Sequence, residues 1–226
     1  MKKKLEIACF SVSSAIAAVK AGADRIELCN DYTAGGVTPS IECFAQVRKK
    51  TNIPVFVMLR PRGGNFVYSD KEFLQMQHDM KVFANAGADG FVLGILNENN
   101  TVNTEQSSII AGLAGRFPCT FHKAFDRCMD LHKATDDIIA CGFASILSSG
   151  KGKTAPEGAE TLARLIEYAK NKISFIAGGG VRSNNLEELC KKVNTIYYHS
   201  AGIIEGNETN TVEVAKMKQI LNKCSE

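Results

Sequence analysis

Short apolar runs alternate with amphipathic stretches from one end of the 226-residue chain to the other. Eight runs read as strands, over residues 5–9, 25–28, 55–59, 90–93, 119–122, 145–147, 174–177 and 195–199. The third and fourth are continuously apolar, the pattern of strands covered on both faces, and the others carry polar residues among the apolar ones. Eight stretches with helical spacing follow them, over 13–21, 40–50, 70–86, 104–114, 131–140, 158–171, 186–192 and 212–223. Ser69-Asp70-Lys71-Glu72 reads as a capping box, and Thr38-Pro39 places proline at a first helical position. Gly22, Gly87 and Gly142 close the first, third and fifth helices.

A weak internal repeat supports this cadence. Gly22-Ala23-Asp24 leads into the second strand, Gly87-Ala88-Asp89 into the fourth, and Cys141-Gly142-Phe143-Ala144 into the sixth. The period spans two strand-helix units. Eight alternations without a break in composition predict a single α/β domain over residues 1–226, a (β/α)8 TIM barrel. No dinucleotide fingerprint follows the first strand, so no nucleotide cofactor is expected.

Composition adds a compartment and removes two partner classes. With 45% hydrophobic residues the chain can bury a full core, and a formal charge of +3 points neither to nucleic acid nor to a membrane surface. The three lysines at the N-terminus resemble the start of a secretory signal, but Glu6 interrupts the apolar region and Lys20 adjoins the would-be cleavage site. Eight scattered cysteines without a Cys-x-x-Cys pair read as reduced thiols. The expected location is therefore cytoplasmic.

A TIM barrel carries its chemistry at the carboxyl ends of its strands. Those ends supply Glu6 and Cys9, Glu27 and Cys29, Arg60 and Arg62, His122 with Asp126 just beyond, and His199. Two arginines bracketing Pro61 after a buried strand suit a carboxylate or phosphate, which a guanidinium grips with two hydrogen bonds. They are also the obvious partners for Glu6 and Glu27, since buried carboxylates are almost always paired. Gly178-Gly179-Gly180 after the seventh strand offers bare backbone amides, with Gly179 and Gly180 as a phosphate cradle. Ser149-Gly150-Lys151-Gly152-Lys153-Thr154 ends like a nucleotide loop, but Leu147 stands where the first glycine is required, so it reads as a mobile basic loop.

The motifs Arg25-Ile26-Glu27-Leu28-Cys29, Gly35-Gly36-Val37-Thr38-Pro39-Ser40, Arg60-Pro61-Arg62-Gly63-Gly64, Thr120-Phe121-His122-Lys123-Ala124-Phe125-Asp126 and His199-Ser200-Ala201-Gly202 together resemble the CutC family over nearly the whole chain. The resemblance implies a cytoplasmic, oligomeric barrel linked by name to copper homeostasis. Val67, Ala8 and Lys123 depart from residues that some members carry there, two of them cysteines.

Two functional expectations stand side by side. The resemblance implies intracellular copper handling, with Cu(I) held by Cys9 and Cys29 on adjacent strands and Cys128 with Met129 able to close the site. The ionisable rim implies instead an enzyme of isomerase or lyase type acting on a small phosphorylated or carboxylated metabolite. Arg60, Arg62, Gly179 and Gly180 would hold the anion, and the acid–base work would fall to Glu6, Glu27, His122, Asp126 and His199. The expected partners are thus a small anion or Cu(I). A homodimer or higher homo-oligomer is expected, with Phe66 and Tyr68 placed either at an interface or over the site.

Overall fold

A computed structural model describes residues 2–225. Eight strands, β1 (Lys4–Cys9), β2 (Arg25–Leu28), β3 (Val55–Met58), β4 (Gly90–Leu93), β5 (Cys119–Phe121), β6 (Ser145–Ser148), β7 (Ser174–Gly178) and β8 (Tyr197–Ser200), close into a parallel barrel in sequence order. The helices α1 (Val12–Lys20), α2 (Ile41–Arg48), α3 (Asp70–Ala86), α4 (Thr104–Ala114), α5 (Leu131–Ala140), α6 (Ala159–Ala169), α7 (Leu186–Lys192) and α8 (Thr211–Lys223) connect them. The (β/α)8 reading holds. A 3-10 turn at Lys123–Arg127, between β5 and α5, was not foreseen.

Local chemistry explains the boundaries. Ser69 caps α3 through the backbone of Glu72, whose side chain returns to Ser69, so the capping box is present. Gly87 then ends the helix in the left-handed region at φ 95°, which a side chain rarely adopts.

Strand alternation divides the barrel wall. Leu5, Ile7 and Cys9 of β1 join the apolar layer under the helices, whereas Glu6 points inward. The interior carries a small apolar cluster of Cys29, Phe56, Met58 and Val92, with Phe10 against it. Beside this cluster the interior is polar. Glu6 is level with Arg25 on one side and His199 on the other, so the register alone brings three ionisable groups together.

Candidate active site at the carboxyl rim

Four buried side chains form a chain of polar contacts inside the barrel. Glu6 Oε2 accepts a hydrogen bond from Arg25 Nε, and Glu6 Oε1 lies 2.8 Å from His199 Nδ1. His199 Nε2 lies 3.3 Å from Glu27 Oε2. The Arg25 guanidinium is held between the rings of Tyr197 and Phe56, at 3.8 and 4.2 Å. The glutamates are therefore paired through Arg25 and His199, not through Arg60 and Arg62 as their place in the sequence suggested.

Shared contacts drive the two carboxylates apart. Burial disfavours the charged form of Glu6, but the Arg25 charge and the His199 hydrogen bond outweigh it and hold Glu6 at about 2. Glu27 has no arginine of its own; burial raises it to about 7, with the Glu6 charge adding to the rise against His199 and Arg25. Burial opposes the charge on His199 too, yet Glu27 and Glu6 raise it overall. Such a network contributes little net stability against an apolar core of equal volume.

A cavity of about 280 Å³ opens above these groups, lined by Glu27, His199, Cys29, Arg60, His122 and Lys123 among others. Three buried polar atoms of its lining residues have no partner among the described residues: Glu27 Oε1, Arg60 Nε and His122 Nε2. His122 Nδ1 accepts the Ala124 backbone N–H at 3.2 Å, as the cap of the 3-10 turn. The remaining ring nitrogen of the neutral imidazole must then carry the proton. Burial and the Arg60 charge push His122 down to about 3, so it stays neutral.

Arg60 is pinned by its terminal nitrogens. Nη1 donates to the carbonyls of Ala34, Gly35 and Gly36, at 3.0, 3.3 and 3.0 Å, and Nη2 donates to Gly64 at 3.0 Å. Nε has no partner among the described residues, and Nη2 keeps a second hydrogen beyond its bond to Gly64. The ring of Phe66 packs on both Arg60, at 4.8 Å, and His122, at 4.8 Å, and lines the cavity beside them.

The other residues named from the sequence are divided. Gly179 and Gly180 line the cavity. A Cβ on Gly179 would stand 2.7 Å from Lys123 Nζ, so glycine there leaves room for the lysine. Arg62 does not line the cavity; its Nε donates to Glu72 at 2.6 Å. Asp126 accepts from Ser148 Oγ at 2.6 Å, Ser149 N at 3.0 Å and Lys151 N at 3.2 Å, which anchors the basic loop after β6. Lys123 and Arg182, both lining the cavity, were missed.

The thiols separate as well. Cys29 lines the cavity beside Met58, but Cys9 lies in the apolar layer outside the barrel wall. Burial pushes both thiols up. Cys128 and Met129 line a different hollow, and Met129 is 76% exposed. Among the described residues no group of three or more His, Cys, Asp or Glu side chains is arranged to hold a metal ion. Among the same residues, no helix is long and apolar enough to cross a membrane.

Fold and cavity together define a TIM-barrel protein with a cavity lined by ionisable side chains at its carboxyl rim. The family model described as CutC family matches residues 3–204. This chain belongs to the CutC family. A family protein CutC of Chromobacterium violaceum is 42% identical over 201 residues, covering 89% of this chain and 81% of that protein. The copper homeostasis protein cutC homolog of Homo sapiens is 40% identical over 195 residues, covering 86% of this chain and 71% of that one. A crystal structure of CutC from Streptococcus agalactiae superposes with a TM-score of 0.83 at 33% identity, covering 88% of this chain and 98% of that chain. Thiamine phosphate pyrophosphorylase from Pyrococcus furiosus, at a TM-score of 0.67 and 16% identity, covers 100% of this chain and 98% of its own and shares the fold.

Proposed function

We propose that this chain is an acid–base enzyme acting on a small anionic metabolite, with Glu27 as the group that takes and returns a proton. One observation carries the reading: Glu27 Oε1 is buried and unpartnered in a residue that lines the rim cavity, while Oε2 is tied to His199. A carboxylate so placed has one oxygen for a substrate and one for the relay. Its pKa of about 7 lets it accept and release a proton near neutrality. Lys123 and Arg182, with Gly179 and Gly180, supply the cationic and amide-bearing part of the lining for a carboxylate or phosphate.

Solvent exchange tests this without knowledge of the full reaction. Pyruvate, 2-oxobutyrate and dihydroxyacetone phosphate are incubated with the protein in heavy water, and loss of the proton signal beside the carbonyl is followed by NMR. Exchange that disappears in Glu27→Gln supports the reading. Exchange unchanged in Glu27→Gln, or none with any of the three, counts against it.

A second reading is favoured by the names of the relatives and by one feature of the cavity. The human and mouse homologues are named for copper homeostasis. Cys29 and Met58 bring a thiol and a thioether to the cavity wall, soft donors of the kind Cu(I) takes. Copper would then be cargo. Anaerobic titration with Cu(I) against a competing chelator tests it: loss of affinity in Cys29→Ser supports the reading, and unchanged affinity opposes it.

A further inference from the structure

His122 and Arg60 bear on what the enzyme's substrate must look like. Each is buried, each lines the cavity, and each keeps one nitrogen without a partner among the described residues. Both nitrogens are donors. Arg60 Nε carries a hydrogen whatever the pH. His122 Nε2 carries one because Nδ1 already accepts from the Ala124 backbone. Buried donors are rarely left unsatisfied, and these two belong to residues that line one cavity.

Both donors are also fixed in place. Four backbone carbonyls hold the ends of the Arg60 fork, and the Phe66 ring lies against both side chains. Gly94 lets the imidazole lie close to β4, since a Cβ there would stand 2.6 Å from His122 Nδ1. Rigid donors stabilise an oxygen that gains charge during reaction, because nothing has to reorient. A neutral imidazole suits this role, because it keeps its single Nε2–H across the neutral range and donates it as a hydrogen bond.

We propose that His122 Nε2–H and Arg60 Nε–H form an oxyanion hole, so that the substrate carries a carbonyl group beside a removable proton as well as its anionic group. This rests on the proton-transfer reading above and narrows its substrate class. The Glu27 carboxylate takes the proton from the carbon beside the carbonyl. The C–H electron pair becomes the carbon–carbon π bond, and the carbonyl π pair moves to the oxygen held by His122 and Arg60. Return of the proton from Glu27 to the same carbon restores the carbonyl, so that in heavy water the step leaves deuterium at that carbon. His122 donates a hydrogen bond throughout and transfers no proton.

The test uses the whole protein labelled with [15N]histidine and [15N]arginine, with oxalate as the probe because its planar dianion resembles an enediolate. His122→Gln assigns the His122 signals. The expected spectrum is an Nε2–H imidazole that does not titrate between about pH 5 and 8. Oxalate should shift the His122 Nε2–H and Arg60 Nε–H resonances. It should bind roughly tenfold or more weakly to His122→Gln, the loss of one hydrogen bond to a charged group, and no more weakly to Glu27→Gln. An Nδ1–H tautomer, titration within that range, or resonances unmoved by oxalate at any soluble concentration would each overturn the proposal. The underlying reading can fail separately. Deuterium exchange that needs Glu27 but not His122 removes the oxyanion hole alone, whereas oxalate bound through both donors without any exchange removes Glu27 as the base alone.

Discussion

Glu6 and Glu27 share one imidazole, but only Glu6 has an arginine. His199 reaches both carboxylates, at 2.8 Å and 3.3 Å, while Arg25 donates to Glu6. The asymmetry explains why one glutamate stays charged at about 2 and the other is poised at about 7. Two carboxylates pushed apart by their surroundings are a common way for one site to obtain both a fixed charge and a proton carrier. Glu6→Gln should lower Glu27 and His199 together, because the Glu6 charge raises both. It also leaves Arg25 buried without its counter-ion, at a cost of about 3–5 kcal/mol. Urea denaturation reads the loss of stability, and NMR titration reads the two shifts.

His122 gives the fold an acid limb. Its folded value of about 3 lies below the ordinary 6.5, so the unfolded chain binds its proton first as pH falls. Stability from this group is present above 6.5 and is lost as pH drops toward 3. Glu27 acts with the opposite sign: it is raised from 4.5 to about 7, so its contribution is present below 4.5 and is lost as pH rises through 7. Denaturant midpoints measured across pH should fall less steeply below 6.5 in His122→Gln than in the parent.

Gly94 is predicted to tolerate no side chain. A Cβ would meet His122 Nδ1 at 2.6 Å and Cε1 at 2.7 Å, with Ala124 Cβ at 3.1 Å. The imidazole must shift and give up the Ala124 N–H. Gly94→Ala should cost about 1–3 kcal/mol, as overpacked cores do, and should lose the Nε2–H tautomer in the histidine spectrum.

The two thiols named from the sequence should behave differently toward Cu(I). Cys29 lines the cavity with Met58, while Cys9 is packed under the helices. Under the copper reading Cys29→Ser should weaken Cu(I) binding in a chelator competition, and Cys9→Ser should leave it within about twofold, since a donor outside the cavity adds no ligand.

Much of the fold was legible because its signals are local. The third, fourth and fifth helices begin and end where periodicity and caps place them, and β2 and β4 match residue for residue. The 3-10 turn after β5 is too short for a period to show. Within the site, Glu27, His122, His199, Gly179 and Gly180 gather at the cavity. Arg25 was passed over because it opens a strand, where a charge looks like an edge. The carbonyls that absorb Arg60 come from segments up to 26 residues away, which no spacing reveals. The orientation of Cys9 was readable: it stands three residues after Glu6 on one strand, hence on the opposite face, whereas Glu27 and Cys29 are two apart and share one.

The Glu27 carboxyl itself offers the most direct test. In protein labelled with glutamate carrying 13C at the side-chain carboxyl, the signal absent from Glu27→Gln can be followed through a pH titration. The account predicts a midpoint at about 7. A midpoint at the ordinary value of 4.5 would mean that Glu27 is a plain carboxylate at neutral pH, and would contradict its role as the proton carrier of this barrel.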